Sequence, residues 1–275
     1  YKDGGDIKRT PSPKPVPFYD IDYKLLPKSA QKTLSQYMQV ITGRGCSFKC
    51  TFCYNTVLGQ KWQPRPMPEL VSELKKLVTE YDPEIIYFRD ENFFESKERI
   101  YEFISLYKEN NFRFKWRATC RVSYFNDRFV NHDLLKQLES INCQTLKFGL
   151  ESGSQRILNK IKKGHKVQRV YDAVKTLSQY KTIQGNFSFL IGLPGETYDD
   201  YKQTLSMMKF INENEPDAFL NGPQYFRIYP GGALYEEIKN DYNYYEPQTF
   251  EEWAARYSPN TQQDNLGFRT PKFDF

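Results

Sequence analysis

The pattern that most limits what this chain can fold into is an alternation. Apolar, strand-like runs alternate with amphipathic, helix-like stretches at spacings of roughly 30 to 45 residues, the pattern of a parallel sheet built from βα units. The runs are Gln39–Thr42, Glu84–Phe88, Phe112–Cys120, Gln144–Leu150, Gly185–Ile191 and about Ala218–Ile228. After the first, Pro68 opens a helix with Leu70, Leu74, Leu77 and Val78 on one face. The next helices carry Ile100, Phe103, Ile104 and Tyr107, then Leu134, Leu135, Leu138 and Ile141. Helical stretches follow Ser154 and Val167, the latter with Val170, Val174 and Leu177. Thr197-x-x-Asp200 is a cap pattern ahead of the next helix, and a last one is expected from Gly232. Six units are too few for the eight of a closed (β/α) barrel.

The loop after the first strand, Thr42 to Tyr54, reads T-G-R-G-C-S-F-K-C-T-F-C-Y. Cys46, Cys50 and Cys53 are spaced C-x3-C-x2-C. So short a loop cannot pair three sulfurs as disulfides, but it can wrap thiolates around one face of an iron–sulfur cube. Three protein ligands leave one iron of a four-iron cube open, as catalytic metals require. Structural zinc wants four ligands, whereas Cys120, Cys143, His132 and His165 lie far off in sequence. A non-catalytic zinc-binding structural module is the alternative from another class. Five cysteines in a 275-residue chain do not describe a disulfide scaffold.

Other unusual residues fall at the same ends of the strands, where parallel barrels gather their chemistry. Arg89-Asp90-Glu91-Asn92 follows the second strand, and Cys120-Arg121 closes the third. Glu151-Ser152-Gly153 follows the fourth, and Gly192-Leu193-Pro194-Gly195-Glu196 the fifth. Asp90 or Glu91 could accept from a ligand ammonium group, or could simply enrich a helix N-terminus in acids. Gly149 permits close backbone approach, and Glu151 could accept from both hydroxyls of a ribose. Arg121 is a cation for a ligand carboxylate or for Glu151. Cys120 and Cys143 read as packing, and His132 and His165 as solvent-side helix residues.

The triad, with Phe52 in the aromatic slot before its third cysteine, resembles the radical S-adenosylmethionine superfamily and its C-x3-C-x-aromatic-C hallmark. Phe148-Gly-Leu-Glu-Ser-Gly and Phe189-Leu-Ile-Gly-Leu-Pro-Gly-Glu-Thr extend the likeness over about the first 240 residues. The resemblance implies a partial (β/α)6 TIM-like barrel, α/β with parallel strands, open on one side. It implies a [4Fe-4S] cluster on Cys46, Cys50 and Cys53, with S-adenosylmethionine chelating the open iron. Reductive cleavage would then give a 5′-deoxyadenosyl radical that abstracts hydrogen from substrate. It also implies an electron donor such as flavodoxin or ferredoxin. Glu151 would hold the ribose, and Ile191, Gly192 and Leu193 would flank the adenine. Where the superfamily uses a G-G-E-type motif this chain has Asp90-Glu91, similar to the variant in the cobalamin-associated branch. Lys2 to Ile7 and the run from Pro15 to Pro27 resemble the linker after a cobalamin-binding domain in that branch. Cobalamin-assisted methyl transfer or a related rearrangement is therefore expected, with cobalamin bound outside this chain, since D-x-H-x-x-G is absent. The alternative within the superfamily is an RNA methylthiotransferase, whose appended RNA-binding β-barrel residues 241–275 are too short to form.

We expect residues 1–36 to be an extended, proline-bearing connector, 37–240 the barrel, and 241–275 a tail closing its open side. The opening residue is Tyr1, and we expect a longer polypeptide upstream. Net charge is +5, from 39 basic and 34 acidic residues, too modest and too dispersed to call for nucleic acid. A small-molecule or peptide substrate is expected. With no 18-residue apolar run and no signal peptide, a cytoplasmic protein without a membrane partner is expected.

Overall fold

A computed structural model describes residues 17–58, 61–242 and 244–257, and the backbone of a two-residue ribbon, Lys2–Asp3 against Asp6–Ile7. The proline run from Pro11 to Val16 and the tail beyond 257 lie outside the described residues. Six strands form one sheet: β1 (Tyr37–Val40), β2 (Ile85–Phe88), β3 (Lys115–Cys120), β4 (Cys143–Glu151), β5 (Gln184–Ile191) and β6 (Phe219–Tyr225). They lie in sequence order and every neighbouring pair is parallel. β1 and β6 are both edges. The architecture is the expected α/β partial barrel, open on one side.

The helices that follow the strands stand where the sequence puts them, and among the described residues three others have no counterpart in the sequence pattern. Two short ones, α1 (Lys28–Gln31) and α2 (Tyr54–Leu58), precede α3 (Met67–Tyr81), α4 (Lys97–Glu109) and α5 (His132–Ser140). Then come α6 (Gln155–Lys160), α7 (Val167–Leu177), α8 (Tyr198–Asn214), α9 (Ala233–Asp241) and α10 (Phe250–Tyr257). Ser96, Asn131 and Ser154 cap α4, α5 and α6, and Thr197 with Asp200 makes the capping box of α8. Residues 17–36 fold as more than a connector: they hold a 3-10 turn at Tyr23–Leu25 and α1, and bury Tyr23 and Leu34 against the core.

Alternation along the strands decides which sheet face is covered. Ile86, Phe88, Trp116, Ala118, Leu146, Phe148, Phe187 and Phe189 are at most 1% exposed and pack against Leu74, Ile100, Phe103, Leu134, Leu138 and Val174 of the helices. Much of the aromatic content sits here: Phe93 stacks on Phe88 at 4.9 Å, and Phe103 meets Trp116 edge-on at 5.6 Å. The opposite, inner face is polar. β3 begins at Lys115 rather than Phe112 because Phe112 still closes α4, donating its N–H to Tyr107 O. β6 is irregular between Asn221 and Gln224, where Pro223 has no N–H to give the ladder.

Candidate functional site

The cysteine loop leaves β1 and is gripped by carboxylates from the turn after β2. Asp90, 5% exposed, accepts from the Thr42 N–H at 2.7 Å and from its hydroxyl at 2.6 Å. Glu91 accepts from Gly45 N–H at 3.1 Å, and Glu95 from Ser47 N–H at 2.9 Å. Burial pushes the Asp90 carboxyl up to about 6, against the opposing pull of its bonds to Thr42 and Gly43. Sequence reasoning considered Asp90 and Glu91 only as ligand acceptors or helix-end acids. The structure spends Asp90 on the loop; Glu91 stays exposed, with one oxygen on Gly45. Gly45 needs its φ of +79°, and a Cβ there would stand 2.5 Å from Lys61 O.

The thiols follow. Cys53 N–H donates to Cys50 O at 3.0 Å, Thr56 hydroxyl caps Cys53 O at 2.7 Å, and α2 starts at Tyr54. Cys50 is buried, Cys46 and Cys53 half-buried, and all three are free. Burial pushes the Cys46 thiol up to about 12 and raises Cys53. Among the described residues no three His, Cys, Asp or Glu side chains converge on a single ion. A cube sets its thiolates on separate irons, so the donor set of three thiols on one loop suits it better than it suits one zinc ion. A cation supports that fit: Arg121 Nη1 lies 3.7 Å from Cys50 Sγ, placing a positive charge beside the sulfur donors. A cavity of about 700 Å³ opens beside the loop, lined by Cys46, Phe48, Asn55, Trp62, Lys162 and Gly232 among others.

Arg121 does not pair with Glu151. Its guanidinium lies over the Phe48 ring at 3.6 Å and its Nη2 donates to Lys163 O. Glu151 pairs instead with Lys163, 2.7 Å away, and both side chains are under 10% exposed. Lys163 in turn sits 5.5 Å from the Phe52 ring, so the pair bridges the end of β4 to the cysteine loop. Sequence reasoning missed Lys163; nothing about a lysine in Lys162-Lys163-Gly164 marks it as buried. Glu151 has φ +69°, a left-handed conformation that a non-glycine residue adopts at a cost. Gly149 makes room: a Cβ there would overlap Glu151 Oε1 and come within 3.0 Å of Lys163 Nζ.

At the end of β5, Ile191 is half-buried, while the following Gly192 (φ +76°) and Leu193 are buried. Their edges are already engaged. Phe226 N–H donates to Ile191 O at 2.8 Å, Glu196 N–H to Leu193 O at 2.9 Å, and Gly192 N–H donates to Glu196 Oε2 at 2.5 Å. Glu196 is therefore 1% exposed and turned inward, its acid pushed up to about 6 by burial, while Thr197 caps α8. His165 also differs from expectation: it is buried in the loop before α7 and held neutral, its pKa lowered to about 3 by burial and by Lys163 and Arg121.

Cysteine loop, Glu91, Arg121, Glu151 and Gly192 thus meet at one rim, the carboxyl ends of the strands of an open parallel barrel. That combination defines a class of cofactor-dependent α/β enzymes. The profile of the radical SAM superfamily matches residues 40–208, and the chain belongs to that family. An uncharacterized methyltransferase of Pyrococcus horikoshii is 31% identical over 244 residues, covering 86% of this chain and 50% of the relative. A tRNA-2-methylthio-N(6)-dimethylallyladenosine synthase of Sulfurihydrogenibium is 24% identical over 195 residues, covering 66% of this chain and 42% of the relative. The chain thus spans half or less of these relatives' length. The structure of the radical S-adenosylmethionine methyltransferase TsrM from Kitasatospora setae, with cobalamin and a [4Fe-4S] cluster bound, is similar in fold. It superposes with a TM-score of 0.60 at 18% identity, over 73% of this chain and 36% of that one. Among the described residues no helix is long and apolar enough to cross a membrane.

Proposed function

We propose that this chain is the catalytic barrel of a radical S-adenosylmethionine methyltransferase that works with cobalamin bound by another part of the protein. Residues 37–240 form the catalytic unit, 1–36 a connector whose second half packs on the barrel, and 241–275 a cover for the open side. The observation that carries the reading is the joining of three thiols on one loop to the buried Glu151–Lys163 pair at the same rim. When bound, a [4Fe-4S] cluster and S-adenosylmethionine supply an electron and a cleavable sulfonium, hence a 5′-deoxyadenosyl radical.

The chain's own residues position and shield. Cys46, Cys50 and Cys53 hold the cluster, and Arg121 offsets the thiolate charge. Glu151 accepts from the ribose hydroxyls, its carboxylate held by the buried ion pair with Lys163. With Asp90 committed to Thr42, Glu91 and backbone carbonyls of its turn remain to receive the ammonium group. Ile191, Gly192 and Leu193 give the adenine an apolar wall, their hydrogen-bonding edges being engaged within the fold. Phe52 packs between loop and Lys163. A flavodoxin- or ferredoxin-type donor, a small-molecule or peptide substrate and a cytoplasmic setting complete the reading.

Anaerobic reconstitution tests it. Wild-type protein is expected to carry a brown chromophore and to form 5′-deoxyadenosine on reduction, and Cys50→Ala to lose both. Zinc at one per chain with neither iron nor sulfide would sink the proposal. The likeness to a tRNA-modifying relative favours a second reading, an RNA methylthiotransferase. Tight, salt-sensitive binding of transfer RNA would select it.

A further inference from the structure

The inner sheet face below the rim is unlike the interior of a closed barrel, which branched apolar side chains fill. Register places Tyr87, Arg117 and Thr145 in one row across β2, β3 and β4, and Thr119, Lys147 and Asn186 in the next. Arg89 extends beyond Tyr87 on the same face. Arg89 and Lys147 both approach the Tyr87 ring, at 4.9 and 5.3 Å from its centroid. Arg89 and Arg117 both act electrostatically on Tyr37, the first residue of β1. Three cations therefore share one concave patch.

None of the three pairs with a carboxylate among the described residues. Arg117 donates only to the neutral Gln144 amide, at 2.8 Å. Within the six strands the one carboxylate on this face is Glu151, which Lys163 already neutralises. A further polar group is left over: the buried Asn186 Oδ1 has no hydrogen-bond partner. Like charges gathered in a concavity raise its potential and draw in an anion. Nothing in the cofactor reading uses these three side chains. Lys147 stands two residues below Gly149 on the same strand, roughly 7 Å at about 3.3 Å per residue, and the Glu151 carboxylate lies against Gly149.

We propose that this patch, with Arg89, Arg117 and Lys147, binds a doubly charged phosphate or phosphonate group of the substrate. The group anchors on the guanidinium and ammonium donors, a hydroxyl beside it meets Asn186, and the reacting carbon points up to the rim. This substrate class rests on the radical-enzyme reading of the same barrel. The test is direct binding of methylphosphonate to the full-length, cluster-loaded protein, followed by phosphorus NMR titration, with acetate as the singly charged comparison. Methylphosphonate is expected to bind at least tenfold tighter than acetate and to weaken with added salt. Arg117→Gln with Lys147→Gln is expected to weaken it about tenfold, and Arg117→Lys with Lys147→Arg to restore most of it. No binding by the wild type, equal binding by the Gln double variant, or acetate binding as tightly overturns the proposal. Formation of 5′-deoxyadenosine by the same wild-type preparation is scored separately. Its failure would instead remove the radical-enzyme reading.

Discussion

Asp90 holds Thr42 with both carboxylate oxygens, at 2.7 Å to the N–H and 2.6 Å to the hydroxyl. This fixes the first residue of the cysteine loop to the end of β2, the neighbour of β1 in the sheet. Asp90→Ala would strand two buried donors, at about 2 to 4 kcal/mol. Asp90→Asn can accept from the N–H and donate to the hydroxyl, so it should lose less than half as much. Urea midpoints of the two variants check the order. The iron content of Asp90→Ala after reconstitution should also fall below wild type, since its loop is no longer pinned.

Glu151 and Lys163 are a buried pair, and removing one partner leaves a bare charge. Glu151→Gln should cost about 3 to 5 kcal/mol. Adding Lys163→Met should recover much of that loss. Affinity for S-adenosylmethionine should stay at least tenfold weaker in the double variant, because the ribose acceptor remains missing. Thermal melts and equilibrium dialysis read the two effects separately. Recovery of both together would give Glu151 a structural role alone.

Gly149→Ala probes the same pair without replacing either member. The added Cβ meets the far ends of two side chains rather than backbone, so the strand itself can persist. The carboxylate and ammonium must swing aside. We expect about a tenfold rise in the KM for S-adenosylmethionine, with the circular dichroism spectrum unchanged.

The sheet was legible because period-two alternation and apolar helix faces are local signals. Strands β2, β4 and β5 fall within two residues of where the sequence puts them. The cysteine triad was legible as spacing on one loop, and Glu151 as an acid at a strand end. What the sequence hid is pairwise. That Asp90 would reach back to Thr42, or Lys163 fold under Glu151, depends on separations of 48 and 12 residues that no periodicity records. Glu196 looked like a helix-end acid because Thr197 and Asp200 advertise the cap beside it; its turn inward depends on the positive φ of Gly192. His165 sits in a loop, where side-chain direction has no period to betray it.

Glu215, 7% exposed, accepts from Gly185 N–H at 2.6 Å, while its other oxygen is buried without a partner. Burial pushes its acid up to about 7 from an ordinary 4.5, opposed by the Gly185 bond. The folded state thus holds a proton that the unfolded chain has already released. Its contribution to stability is complete below pH 4.5 and drains away as pH rises through 7. Glu215→Gln keeps a carbonyl oxygen for Gly185 and cannot ionise. It should match wild type near pH 4.5 and exceed it by about 3.5 kcal/mol at pH 8, at roughly 1.4 kcal/mol for each pH unit of the shift. Urea denaturation of the cluster-free chain at pH 5.5 and 8 checks this. Parallel losses in the two proteins would mean that Glu215 does not titrate in that window.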